Sequence, residues 1–274
     1  MKKIFLLFFV LFAEALSQEV SFSGEAKPAS IIVAKGENIN SAFLNNQKLL
    51  VDYDGTFVFG FDRDAKGVFT LRVNQNNQKE KVYTFVLEQK EYEKQSLTLP
   101  SKYISPPKRY LKKIKQETAE MKNARAKMSE VNTAYFREGF VIPVDSVRIT
   151  AVFGGQRILN GIKKKEHNGI DFGGKNGTPV YAITDGIVRL AAENFYFNGT
   201  FVLLDHGQGL SSVYLHLSKL HVKNNQHVKK GELIGEIGST GRSTGPHLHL
   251  GVQWYNKRID PAGLLNIKLE QFVD

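Results

Sequence analysis

No cysteine occurs in the 274 residues. That excludes a disulfide framework, so the domains must hold by core packing alone. It also excludes a lipidated N-terminal cysteine. Histidine and carboxylate, not thiolate, are left as the side chains that could hold a metal. Histidine is itself absent from the first 166 residues. Beyond the N-terminus no run is long or apolar enough to cross a bilayer, which takes about 20 residues. Internal repeats and low-complexity tracts are absent as well.

What is present is a globular composition with a basic bias. Apolar residues make up 42%, enough for a packed core and too many for a disordered chain. The length allows one large domain or two modest ones. A net charge of +10 would point to nucleic acid in an intracellular protein. The N-terminus points to another compartment. Lys2 and Lys3 precede the apolar run Ile4 to Ala13, and Ala15-Leu16-Ser17 offers small residues ahead of Gln18. Residues 1–17 therefore read as a secretory signal peptide, too short for a span. The mature form is expected to have no transmembrane segment and no nucleic-acid partner. Wall polymers and membrane surfaces are the polyanions it would meet, and surplus lysine also favours solubility.

Three parts follow the signal. Residues 18–104 read as a small β domain of sandwich type. Ile31-Ile32-Val33 is β-branched, and Leu49 to Tyr53 and Phe57 to Phe61 flank the hairpin signal Asp54-Gly55. Val68 to Val73 and Val82 to Leu87 flank a longer polar loop, a second hairpin. Residues 105–139 read as a helical linker, with Ser105 as cap and Pro106-Pro107 in the first turn. Leu111, Ile114, Thr118, Met121, Arg125 and Met128 make a weak apolar stripe on a basic helix ending near Gly139. The stripe is poor in the large apolar residues of membrane-surface helices, so packing against its own domains is expected. Residues 140–274 are again rich in strand patterns, from Val147–Phe153 to His247–Trp254, separated by Gly and Asn-Gly turns.

All seven histidines lie in this last part. His167 and Asp171 are four apart, so on an extended chain they share a face. In His247-Leu248-His249-Leu250 the histidines alternate with leucines, which places both imidazoles on the face away from the core. The same alternation in Val213-Tyr214-Leu215-His216-Leu217 sends Val213, Leu215 and Leu217 inward and Tyr214 with His216 outward. If these segments are neighbouring strands, their polar groups converge. Two imidazoles and a carboxylate make a catalytic zinc set with a fourth position open to water. Zinc lowers the pKa of bound water to about 7, and further imidazoles suit proton transfer. His206, in Asp205-His206-Gly207, reads as a turn residue, and His221 and His227 flank a polar loop. These three are expected to be structural.

The blocks in this part resemble the LytM/lysostaphin-type zinc endopeptidases, peptidase family M23. They are Arg148 to Gly154, His167-Asn168-Gly169-Ile170-Asp171-Phe172, Thr178 to Ala182, Asp185-Gly186-Ile187-Val188 and Tyr214-Leu215-His216-Leu217, followed by Val228 to Gly231, Ile237 to Gly241 and Gly245-Pro246-His247-Leu248-His249. The resemblance implies that His167, Asp171 and His249 hold Zn2+. It implies that His216 and His247 are the catalytic pair, one activating water and one steadying the oxyanion. Unlike some relatives, the chain has no tyrosine in Gly161 to Glu166. Phe57 to Asp64 also resembles part of the immunoglobulin-like domain that precedes this peptidase domain in some Gram-negative proteins. In relatives such segments cover the groove or add a metal ligand, which here would have to be Asp, Glu or Asn.

The expected class is mainly β: a small N-terminal β-sandwich, a helical linker and a C-terminal LytM-type antiparallel sheet. The expected activity is a periplasmic zinc D,D-endopeptidase of peptidoglycan stem peptides, cutting the D-alanyl–diaminopimelate cross-link in wall remodelling for shape or division. The absence of a following SH3-like wall-binding domain favours that bond over glycine bridges. Other wall enzymes and shape or division proteins are further expected partners. One rival is a non-catalytic activator of a wall amidase, against which the complete ligand set argues. The other is a wall-binding protein with a structural metal, against which the open fourth position argues.

Overall fold

The structure, a computed structural model, describes residues 19–76, 79–98, 106–128, 131–146, 148–163 and 165–267. The expected signal peptide and the Ser105 cap lie outside the described residues. β-Branched and aromatic residues form eight strands in the first part: β1 (Ser21–Ser23), β2 (Ile31–Lys35), β3 (Ile39–Leu44), β4 (Gln47–Leu49), β5 (Thr56–Gly60), β6 (Gly67–Gln75), β7 (Lys81–Leu87) and β8 (Lys94–Leu97). One sheet has the order β1-β2-β5 and another β4-β3-β6-β7. They pack face to face through aromatic rings. Phe22 of β1 meets Tyr83 and Phe85 of β7 edge-on, and Phe61 meets Phe69 of β6 at 4.9 Å between centroids.

The second expected hairpin is present: β6 and β7 pair antiparallel, Val68 opposite Val86. The first is not. The Asp54-Gly55 turn forms, with Gly55 at φ 79°, but only Val51 and Phe57 pair across it. Every residue of β5 is buried, because one face meets the opposing sheet and its backbone meets the C-terminal region, where Gln208 Nε2 donates to the Thr56 carbonyl at 2.9 Å. So β5 joins β2 while β4 stays with β3, and the turn becomes a corner between sheets.

A single 3-10 turn at Lys108–Tyr110 leads into α1 (Leu111–Ala126). The helix ends well short of Gly139. Residues beyond it are fixed by other contacts: the Ala134 N–H donates to the Asp52 carboxylate at 2.7 Å, and Ala134, Phe136 and Val144 enter the core.

The last part contains β9 (Ile149–Ala151), β10 (Gln156–Leu159), β11 (Ile162–Lys163), β12 (Ile170–Gly173), β13 (Pro179–Tyr181), β14 (Gly186–Phe195), β15 (Gly199–Asp205), β16 (Leu210–Leu220), β17 (His227–Val228), β18 (Leu233–Ile237), β19 (His247–Trp254), β20 (Lys257–Ile259) and α2 (Pro261–Leu265). A ten-stranded antiparallel sheet runs β17-β14-β15-β16-β19-β12-β9, with β13, β18 and β20 attached. One face buries Phe172, Val202, Leu204, Tyr214, Leu248, Leu250, Val252 and Trp254 in the main core. The other carries a second cluster, in which Met121 and Ala124 of α1, with Met128 just beyond it, cover Leu190, Phe201, Leu203 and Val213. The helix therefore packs on its own domain, as its stripe implied. Glu117 fixes its position by accepting the Tyr196 N–H on both carboxylate oxygens at 3.0 Å. β8 pairs in parallel with β10 and so ties the N-terminal part to the C-terminal one.

Candidate metal centre

Strand parity brings the candidate residues together. On β19, Leu248 and Leu250 enter the core and His247 and His249 take the opposite face. Asp171 of β12 lies directly across from His249. His167 stands just before β12, and the Gly154-Gly155 turn holds its backbone. Its N–H donates to the Gly155 carbonyl at 3.0 Å, and its carbonyl accepts from Gly154 N–H at 2.8 Å. Gly169 has to lack a side chain, because a Cβ there would lie 2.7 Å from His249 Nε2 and 2.3 Å from the Leu250 carbonyl oxygen.

Three donor atoms converge. His167 Nε2 is 3.0 Å from Asp171 Oδ1 and 3.1 Å from His249 Nδ1, which lies 2.7 Å from Asp171 Oδ1. A tetrahedral zinc with bonds near 2.0–2.1 Å separates its ligand atoms by about 3.3 Å. The triangle fits such an ion after spreading by a few tenths of an ångström. The donor chemistry also fits: His167 Nδ1 donates to the Val152 carbonyl at 2.8 Å, which leaves the lone pair on Nε2, facing the other two donors. Burial works to raise the Asp171 carboxyl, but hydrogen bonds from His167 and His249 outweigh it and hold the group below the usual carboxylate range. Burial lowers His249, with Asp171 opposing. Among the described residues these three are the whole metal-capable group, and the N-terminal part adds no fourth ligand.

His216 and His247 lie beside the triangle. Their ring centroids are 4.8 Å apart, and His216 is 6.3 Å from His249. Each donates from Nδ1 to a backbone carbonyl, His216 to Thr240 at 2.9 Å and His247 to Gly245 at 2.8 Å. Both Nε2 atoms are thereby left as acceptors in the neutral rings. Burial pushes His216 down to about 4, with the Thr240 carbonyl opposing. His216 reaches the site by a route that simple alternation does not describe. Its φ is +66°, and β16 spends two residues, Leu215 and His216, against one of β15. The bulge reverses the parity expected for this strand. Tyr214 turns into the core, where its hydroxyl accepts the Ile183 N–H at 2.9 Å, and Val213 and Leu215 lie on the α1 face.

The other histidines stay outside the site. His206 is fully buried between the Asp185 carbonyl and Ser212 Oγ, at 2.7 Å from each. His221 pairs with Glu236 at 2.8 Å, and His227 meets the Tyr135 ring. Sequence reasoning missed the supports of the site: the carbonyls of Val152, Thr240 and Gly245 belong to residues whose identity carries no signal. A cavity of about 520 Å³ opens beside His167, lined by residues 149–152, Gly155, Glu93 and Lys94. The N-terminal part thus supplies one wall of the approach to the metal centre.

The chain is similar to known proteins. The profile of peptidase family M23 matches residues 165–261, which include all five site residues. Over 110 residues the chain is 46% identical to the peptidoglycan DD-endopeptidase ShyA of Vibrio cholerae, covering 39% of this chain and 25% of that protein. It is 40% identical over 109 residues to ShyC of the same organism, a peptidoglycan DD-endopeptidase by name, with the same coverage. The matched segment thus spans about a quarter of the length of these curated relatives. A crystal structure from Pseudomonas aeruginosa, assigned to peptidase M23, aligns with a TM-score of 0.62 at 30% identity, covering 88% of this chain and 95% of that one. That likeness extends beyond the metal-centre sheet through most of the chain, and on these grounds the chain belongs to peptidase family M23.

Proposed function

We propose that the protein is a zinc-dependent D,D-endopeptidase that hydrolyses the D-alanyl–diaminopimelate cross-links of peptidoglycan outside the cytoplasm, in the periplasm once the signal peptide has been removed. The observation that carries this reading is the juxtaposition of a converged N, N, O donor triangle with a second pair of imidazoles whose Nε2 atoms are left as acceptors. A metal held only for structure needs four protein ligands and no neighbouring bases. The substrate class is supported by ShyA and ShyC, which are peptidoglycan DD-endopeptidases by name.

His167, Asp171 and His249 would hold the zinc. Bound there, the ion supplies Lewis acidity, which brings a water within reach of ionisation at neutral pH. His216 and His247 then divide the proton work. One accepts the proton of the attacking water at Nε2 and delivers it to the leaving amine. The other, carrying a proton on Nε2 as an imidazolium, donates to the developing oxyanion. The backbone carbonyls of Thr240 and Gly245 anchor both rings through Nδ1, so neither has to reorient as charge develops.

The test is zinc content together with release of peptide monomers from purified cross-linked peptidoglycan, with and without chelator. Chelator-sensitive conversion of dimers to monomers is expected. A protein that binds no zinc would overturn the reading.

A further inference from the structure

The sheet face that carries the metal centre continues beyond it. In the β16–β19 ladder, Leu215 is opposite His249, Val213 opposite Gly251, and Ser211 opposite Gln253. Gln253 and Ser211 therefore share the face of His249, about 13 Å farther along at ~3.3 Å per residue. There a cavity of about 490 Å³ opens, lined by Lys122 and Arg125 of α1, Ser211, Gln253, Tyr255 and Arg258. Three cations line it and no carboxylate does.

Lys122 is exposed, and Arg125 and Arg258 are half-buried without the ion pairs that such charges normally have. Among the described residues Arg125 reaches Ser211 Oγ at 3.1 Å and forms no ion pair, and neither does Arg258. Burial pulls the Arg125 guanidinium down to about 10, and the like charge of Arg258 adds to this. Burial also lowers Arg258, with Asp62 opposing from a distance. Gln253 is buried, and its Oε1 has no hydrogen-bond partner. Two half-buried guanidinium groups without an ion pair, next to a buried amide with an unused polar atom, are costly to keep for structure alone. They are what an anion site looks like before its ligand arrives.

We propose that this cavity is a substrate subsite that takes a free carboxylate of the stem peptide, with the Arg125 and Arg258 forks as its main donors and Ser211 and Gln253 as polar partners. The planar guanidinium matches the two oxygens of a carboxylate. The distance suits a peptide as its bearer: about four extended residues separate the metal centre from this cavity. Stem peptides carry free carboxylates along such a length. This inference rests on the peptidoglycan reading above.

The test is calorimetric binding of a stem tetrapeptide with free carboxylates, and of its amidated counterpart, to the full chain stripped of metal. The free-carboxylate peptide is expected to bind at least about ten-fold more tightly. Arg258→Gln should erase that preference, and Arg258→Lys, which keeps charge but loses the fork, should restore only part of it. Arg125→Gln should behave like Arg258→Gln, and the Arg258 variants carry the test if Arg125→Gln does not fold. Equal binding of the two peptides by the unaltered chain overturns the subsite, and so does a cavity that takes inorganic phosphate and neither peptide. Carboxylate-selective binding without cleavage of cross-linked peptidoglycan would instead overturn the endopeptidase reading and leave the subsite standing.

Discussion

In the N-terminal sandwich, Phe22, Phe59 and Phe61 of one layer meet Phe69, Tyr83 and Phe85 of the other, and the core between them is mainly hydrocarbon. At the same depth the C-terminal sheet holds a hydrogen-bonded chain of His206, Ser212 and Tyr214, and beside it a buried Asp205 paired with Arg189 at 2.7 Å. An apolar core tolerates small shifts, because dispersion contacts are individually weak and non-directional. A buried hydrogen-bonded network does not, since each displaced group loses its partner in a low-dielectric setting. The sheet that carries the five candidate site residues is built the second way, and the sandwich is built the first way. The two are not independent bodies. Arg137 pairs with Asp52, Gln208 bonds to Thr56, and the apolar core runs on from one region into the other.

The largest effects should separate the two regions by kind. Asp171→Ala and His167→Ala are expected to lose both metal and activity. His216→Ala and His247→Ala should keep the metal and lose turnover by about 10²–10⁴-fold. Metal analysis beside peptidoglycan turnover checks this, and a metal-free variant of the second pair would dismantle the division of roles. Phe59→Ala in the sandwich should do the opposite. It should lower stability by about 3–5 kcal/mol, measured by denaturant unfolding, while the folded fraction keeps its metal. Deleting the chain up to Phe136 is not a usable shortcut. It would strip α1 from Leu203 and Val213 and take Phe136 from the core.

The convergence of the candidate residues was partly legible in the sequence because their side chains obey period-two alternation where the strands are regular. His247 and His249 on one face of β19 follow from that rule alone, whereas Asp171 lies opposite only because β12 pairs with β19. His216 was placed in the site by the same rule and reached it for a different reason. A bulge with a left-handed His216 turned Tyr214 inward, and no composition signal marks a bulge at a histidine. The class, mainly β with a helix between two β regions, was legible as well. Strand partners were less so. Asp54-Gly55 specifies a turn but not whether the strands it joins remain paired, and burial of β5 on all sides decided that. The parallel addition of β8 to β10 joins residues some 60 positions apart, and local pattern carries no information on it.

Next to that addition the sandwich reaches the candidate metal centre. Arg63 donates from Nη2 to the Gly154 carbonyl at 2.7 Å and lies over the Tyr92 ring at 4.0 Å, and the Tyr92 hydroxyl donates to the Arg63 carbonyl at 2.9 Å. Gly154 admits this contact only as glycine, since a Cβ would fall 2.1 Å from the Tyr92 ring. The turn so held is the one that bonds the His167 backbone. Arg63→Ala is therefore expected to weaken metal affinity about ten-fold, the lower range for groups that orient a ligand, with far less effect on stability than Phe59→Ala. Chelator competition reads this directly. Unchanged affinity would reduce the sandwich to a spacer.

The smallest expected effect tests the polar network itself. Burial lowers His206 to about 4, with Asp185 opposing, against about 6.5 in an unfolded chain. Between those values the unfolded chain binds the proton and the folded one does not. The stabilisation held by neutral His206 is thus complete above pH 6.5 and is lost progressively as the pH falls towards 4. From pH 6.5 to 5.5 this amounts to about 1 kcal/mol. His216 is shifted in the same direction, so the whole protein should lose more than that, and the His206 share has to be isolated. His206→Gln removes the titrating group. Whatever it does to absolute stability, it should flatten the fall over this interval by about 1 kcal/mol, measured by urea unfolding at the two pH values. A slope equal to that of the unaltered protein would mean that His206 is protonated as easily folded as unfolded. The C-terminal core would then be more open to water than its hydrogen bonds indicate, and the contrast with the sandwich would rest on the metal centre alone.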